Sequence, residues 1–259
     1  MTKPHNHGRL HLVSGALYAI WLTGCSSVVP GPAPDGAKLD PQLAIIPLTT
    51  PVPIRTIETF DKKTNKRIDT DILTMKSSDI RKRLTNYETF TTIQKRDTSG
   101  GFTYVGNSVK AAKGTYRITF DYTNSRTQEI EFDGAKKAYG QVGVGLRITA
   151  EVTTLTNDVD IGGLMPLGIA FKDNKVSGSL RFKAFGLSND KVASLIPADV
   201  QGLDVSGIQK AFEAAATVRL LISLDETTLE PNLIGVTGVS VRESQNALEA
   251  AKSQLSKSP

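Results

Sequence analysis

Few side chains in this sequence are of the kinds that do chemistry, and they fall in small, separate groups. Ser188-Asn189-Asp190-Lys191 sets a lysine three residues after a serine, a spacing at which one helical turn brings the amine onto the hydroxyl as its base. No Lys-Thr-Gly accompanies it, and Asn189 or Asp190 reads as well as a helix cap. Asp158-Val159-Asp160-Ile161-Gly162 has the alternating carboxylates and glycine with which a loop begins to wrap a hard cation. A third acidic ligand is missing, and Ile169 stands where the closing glutamate belongs, so a polar turn is the simpler reading. Asp69 and Asp71 form another carboxylate pair, suited to metal binding or general-acid work, without a third group nearby in sequence. Gly140, Gly143 and Gly145 fail as a dinucleotide fingerprint because Ile148 takes the last position it requires. Within a long strand such glycines mark a bulge or strong coiling.

The histidines and the cysteine are grouped differently. His5, His7 and His11 all precede Cys25, the only cysteine. Residues 1–11 carry Lys3 and Arg9 with no acidic side chain, and residues 12–24 (LVSGALYAIWLTG) are an uncharged run of 13. That is the layout of a secretory signal, and the run falls short of the roughly 20 residues a helix needs to span a bilayer. The segment Leu22-Thr23-Gly24-Cys25 resembles the lipobox of bacterial lipoproteins. The resemblance implies cleavage between Gly24 and Cys25, a diacylglycerol on the Cys25 thiol and a third acyl chain, palmitate among them, on the new amino group. Multiple chains give the lasting attachment that one does not. Ser26, in place of the aspartate that marks inner-membrane retention in Gram-negative lipoproteins, implies transfer to the outer membrane. Cleavage there would also remove every histidine and the single tryptophan, Trp21. Ser-His-Asp and Cys-His catalysis, His or Cys zinc sites and thiol redox chemistry are then excluded.

Charge adds little. Of the 31 basic residues 29 follow the signal, against 26 acidic ones, an excess of +3 rather than +5. This is too weak to indicate nucleic acid. The excess is concentrated at Lys62, Lys63, Lys66, Arg67, Lys76, Arg81, Lys82, Arg83, Lys95 and Arg96. Such a cluster is either a solvated face or a contact for an anionic surface such as lipid headgroups. With 39% hydrophobic and 22% charged residues the remainder is of globular composition.

The elements that must position these groups are mostly strands. Residues 26–53 hold seven of the twelve prolines and read as an extended tether, although 43–54 (LAIIPLTTPVPI) also suits an edge segment of the domain. Ser78 or Asp79 can cap a short helix carrying Ile80, Leu84 and Tyr87. Tyr116, Ile118, Phe120 and Tyr122 alternate with polar residues as in a half-buried strand. The turn-rich Thr123-Asn124-Ser125-Arg126 then predicts a hairpin resuming at Ile130 and Phe132. The clearest strand runs through Val142, Val144, Leu146, Ile148, Ala150 and Val152, whose register is tightly specified because a one-residue slip would expose the whole apolar set. A second hairpin is predicted from Ile169–Phe171 through Lys172-Asp173-Asn174-Lys175 to Val176, Leu180 and Phe182, and further strands over 218–224 and 233–241. Helical spacing appears at Val192, Leu195 and Ile196 ahead of Pro197, and at Ile208, Ala211, Phe212 and Ala215 after a Ser206 cap. Residues 243–259 have the pattern of an amphipathic C-terminal helix or tail.

These readings give a mainly β fold: an antiparallel sandwich or small barrel of about eight strands with a short helical insert and a C-terminal helix. The domains would be a signal peptide (1–24), a lipidated N-terminus and tether (25–54), a globular domain (55–242) and the C-terminal helix or tail (243–259). A membrane-spanning barrel is disfavoured by the 6% aromatic content and by the redundancy of a lipid anchor. The functional expectation is an outer-membrane lipoprotein without catalytic residues, metal or cofactor, held on the membrane at Cys25. It would bind an envelope protein partner, or serve as a structural part of an envelope assembly. The alternatives are a surface-exposed ligand-binding or adhesion module, and a carboxylate-dependent cell-wall hydrolase.

Overall fold

The computed structural model describes residues 45–237 apart from 62, 65, 107–109, 133–135, 190–191 and 198–199. Cys25, the tether up to residue 44, Lys191 of the Ser-Lys pair and the C-terminal helix expected over 243–259 lie outside the described residues. The chain opens with β1 (Ile46–Pro53), the hairpin β2 (Thr56–Asp61) and β3 (Lys66–Asp71), a 3-10 turn (Ile72–Thr74) and α1 (Ser77–Arg81). Four strands follow, β4 (Asn86–Arg96), β5 (Phe102–Gly106), the short β6 (Lys110–Ala111) and β7 (Gly114–Phe132), and then β8 (Lys136–Thr154) and β9 (Val159–Asp160). Next come α2 (Leu164–Lys172), β10 (Val176–Phe185), β11 (Leu187–Ser188), α3 (Val192–Leu195) and β12 (Gln201–Gly202). The last described elements are α4 (Val205–Ser223), β13 (Thr228–Leu229) and β14 (Asn232–Thr237).

The main sheet is antiparallel, in the order β1-β14-β8-β7-β4-β5, with β10 also on β8 and β12 on β10. Its centre is the β7–β8 hairpin, paired without interruption from Gly114↔Thr154 to Phe132↔Lys136. The alternation read in both segments is present: Tyr116, Ile118 and Phe120 join Val144 through Val152 in one buried cluster. Helix α4 covers that cluster with Ile208, Ala211, Ala214, Val218 and Ile222, and α2 adds Leu164, Leu167 and Ala170. A smaller cluster of Leu48, Val142, Leu233 and Val236 seals the end of the sheet where β1 and β14 meet β8. The far edge of β8 is divided between two strands, β14 at Tyr139–Gly143 and β10 at Gly145–Thr154. The change of partner occurs at Gly186, whose φ of +68° only glycine adopts freely and whose missing Cβ would meet Val144 and the Glu230 carbonyl.

The mainly β antiparallel architecture is as read, but several local expectations are corrected. Residues 123–126 form no turn and lie inside β7. Their polar side chains are used within the sheet: Ser125 Oγ accepts from Gln141 Nε2 at 2.5 Å, and Thr127 Oγ1 donates to Gln141 Oε1 at 2.9 Å. Ladders to β8 at all four positions and to β4 as far as Ser125 hold the backbone that a turn would otherwise reverse.

Residues 169–171 are the end of α2, not a strand. The spacing of Leu164, Leu167 and Ala170 decides it, and Pro166 is tolerated because it falls in the first turn. The turn itself is where expected, with Asn174 at φ 55° ending the helix before β10. Residues 218–223 continue α4, since Val218, Leu221 and Ile222 extend the buried stripe of Ile208, Ala211 and Ala214 while Leu220 is exposed. The cap of α4 is Asp204, which accepts from Gly207 N at 2.7 Å, rather than Ser206. Phe212 lies off the buried stripe, and Tyr87 belongs to β4 rather than to the short helix. The segment 43–54, legible as tether or edge, supplies edge strand β1, so the sheet begins ahead of residue 55.

One ion pair is buried inside this frame. Asp121 of β7 and Arg147 of β8 face each other across the ladder and form a double hydrogen bond, Nε to Oδ1 at 2.7 Å and Nη2 to Oδ2 at 2.6 Å, with 2% and 5% of their side chains exposed. The remaining Arg147 nitrogen donates to the carbonyls of Leu48 and Thr49, where the β1–β14 register shifts. Burial pushes the Asp121 carboxyl above the usual range, and Arg147 opposes that shift.

Replacing Arg147 by Met should cost about 3–5 kcal/mol in urea unfolding, because Asp121 is left buried without a partner. The double variant D121L/R147M should recover most of that loss. Gly145→Ala should destabilise by about 2–4 kcal/mol in the same assay, since a Cβ at Gly145 would run into the β7 backbone at Tyr122.

Candidate functional site

The carboxylates singled out in the sequence do not assemble. Asp69 and Asp71 lie on β3, whereas Asp158 and Asp160 flank and form β9, in a separate two-stranded sheet with β6. Asp71 is committed locally: Arg55 and the Leu73 amide both hold it, and these bonds, Arg55 first, lower its carboxyl below the usual range. Asp160 accepts from the Gly162 amide at 2.9 Å, the geometry of a polar turn. Among the described residues no group of three or more His, Cys, Asp or Glu side chains is placed to hold a metal ion. Ser188 is in β11, paired with Thr228. Gly143 and Gly145 press on the backbone of β7, as strong coiling requires.

Positive side chains do converge. Part of the basic cluster of residues 62–96 meets Arg126 of β7 around two adjoining depressions, of about 190 Å³ and 470 Å³. Arg67 and Glu58 line the first and Lys82, Thr85 and Asn86 the second, while Arg83, Arg126 and Thr127 are common to both.

Three sets of contacts build this site. The β2–β3 hairpin is seated on β7 through Glu58 N donating to Gln128 Oε1 at 3.1 Å and Arg126 Nη1 donating to Glu58 O at 2.7 Å. The turn after α1 is pinned by buried Ile80 and Leu84 on either side of it. Between them Arg81 closes the C-terminus of α4, donating from Nε to Ile222 O and from Nη2 to Leu224 O, both at 2.6 Å, and pairing with Asp225 at 3.0 Å. Cations are favoured at that helix end because the last carbonyls lack partners. Arg81 is thereby used structurally, and its neighbours Lys82 and Arg83 are left to line the cleft.

The charges in the cleft are unequally matched. Glu58 is the one carboxylate lining it, and it is shared between Arg67 at 3.2 Å and Arg126 at 3.4 Å. Burial lowers the Arg126 pKa from its ordinary value, Glu58 opposes this, and the like charges of Arg83 and Arg67 add to the lowering. Arg83 has no such compensation: its Nε is buried without a hydrogen-bond partner among the described residues. Lys82 reaches only Asp79, at 3.7 Å, with 78% of its side chain exposed. Among the described residues the site therefore has more charged donors than acceptors.

A third cleft, of about 260 Å³, lies between α4 and the β4–β7 ladder. Tyr87, Tyr122, Ala215 and Val218 line it, and Arg219 lies 5.5 Å from the centre of the Tyr87 ring. Of its polar groups, Glu88 accepts from Gln141 Nε2 at 3.1 Å.

Of the arginine site, sequence reading identified Arg67, Lys82 and Arg83 as members of a charge cluster but missed Arg126, which was assigned to a turn. The available signal was parity: Arg126 falls in phase with Ile118, Phe120 and Tyr122, on a strand that does not stop.

Glu58→Gln should loosen the hairpin more than the sheet. Global stability should fall by about 1–2 kcal/mol as Arg67 and Arg126 lose the negative charge they share, while amide exchange in β2 and β3 accelerates ahead of that in β7 and β8. No protein-family model, no curated protein and no solved structure matches this chain.

Proposed function

We propose that this chain is the precursor of an outer-membrane lipoprotein, anchored through Cys25, whose β domain acts by binding as a non-catalytic part of an envelope assembly. The observation that carries this reading is Leu22-Thr23-Gly24-Cys25 at the end of an uncharged 13-residue run. Two features of the domain support it. Of the carboxylates in its clefts, Glu58 is paired with Arg67 and Arg126 and Glu88 accepts from Gln141, and the pairs Asp69/Asp71 and Asp158/Asp160 lie apart in the fold. Strand β5 ends the main sheet with no further strand beyond it among the described residues, and such an edge accepts a partner strand by backbone pairing.

The N-terminal peptide of the protein isolated from its host should begin at Cys25 and carry the added mass of acyl chains. Cys25→Ala should move the protein out of the membrane fraction. An unmodified Cys25 in a processed, membrane-free protein would refute the anchor. Crosslinking in intact cells should capture the domain with an envelope protein, whereas recovery of the protein always alone would refute the assembly role. Protease protection in intact cells would exclude the surface-exposed alternative.

A further inference from the structure

The geometry points to the cleft between the β2–β3 hairpin, the turn after α1 and β7 as a binding site for a phosphate group, with Arg83 and Lys82 as its primary cationic contacts. The inference is independent of lipidation at Cys25, since it rests on residues 58–127 alone. Its first support is Arg83, which lines both depressions and whose Nε has no hydrogen-bond partner among the described residues.

The second support is the composition of the wall. Around the wider depression Lys82, Arg83 and Arg126 bring positive charge and Asn86 an amide, with no carboxylate among the described residues lining it. Arginine matches a carboxylate or a phosphate equally well through its planar fork. The clustering of three positive side chains favours phosphate, because a carboxylate carries one negative charge and a phosphate monoester up to two. Third, Glu58 stands on the hairpin side with Arg67, lining only the narrower depression. It neutralises the arginines that hold the hairpin and leaves Lys82 and Arg83 for a ligand.

A phosphorylated lipid headgroup and a free phosphate or small phosphate ester share this chemistry, and titration of the full chain separates them. The probes are inorganic phosphate and monomeric dihexanoyl phosphatidic acid below its micellar concentration, followed by isothermal calorimetry. Saturable binding of either probe, weakened by added salt, is the expected result. Affinity for the short-chain lipid at least tenfold tighter than for phosphate identifies a headgroup site. Equal affinity identifies a site for soluble phosphate.

Arg83→Gln should keep the wild-type melting temperature or raise it, because no partner is lost, and should weaken binding by about tenfold or more. Lys82→Gln should weaken it by a smaller factor, and Lys172→Gln on α2 should leave it unchanged. Absence of saturable binding by both probes overturns the inference. So does binding that survives Arg83→Gln at full strength. If Arg83→Gln fails to fold, Lys82→Gln carries the same test, because that side chain is largely exposed.

Discussion

The Asp121–Arg147 pair is the interaction on which the arrangement of the sheet depends. A guanidinium at the centre of an apolar sheet is tolerable only if each face of its fork meets an acceptor. Here one side meets a carboxylate on the adjacent strand and the other two carbonyls of β1. Ladder pairing would hold β7 and β8 together without it. What the arginine adds is the position of β1, because the carbonyls of Leu48 and Thr49 are presented only where the β1–β14 register is broken. The irregular strand is thus fixed by a specific polar contact as well as by the small apolar cluster around Leu48.

Local geometry on either side of that pair serves the same end. Gly143 and Gly145 let the β7 backbone approach β8 more closely than a side chain would permit, and Gly186 lets β10 leave the ladder where β14 takes its place. The 19 paired residues of the long hairpin would span about 60 Å at roughly 3.3 Å each, and α2 and α4 join the cluster buried on one of its faces.

Legibility from sequence followed the number of residues obeying one period. The strand through Val142–Val152 repeats period two over six apolar positions and was read with its correct inward face. Residues 218–223 were misread because a six-residue apolar segment fits either period, and only continuity with Ile208, Ala211 and Ala214 reveals a helix. Thr123-Asn124-Ser125-Arg126 misled for a different reason. Turn propensity records what these side chains do when their backbone is free, and in β7 both ladders and the Gln141 side chain hold them extended. The arginine cleft lay further out of reach, because it joins residues 58, 67, 83 and 126 from four elements. A charge run in sequence shows that lysines and arginines are close, but not which of them, like Arg81, is consumed by a helix end.

The pairing of β1 with β14 has a kinetic consequence. It joins the first described strand to the last, so on the order of 180 residues must be threaded and ordered before this edge closes, which is a loop closure of high contact order. In synthesis from the N-terminus residues 46–53 precede their strand partner, 232–237, by nearly the whole of the described fold. Until β14 arrives, the first half of β8 has one unsatisfied edge and Arg147 lacks the carbonyls of β1. This seam is therefore the one whose closure spans the most chain, and without it Val142 would lie beside an open strand edge.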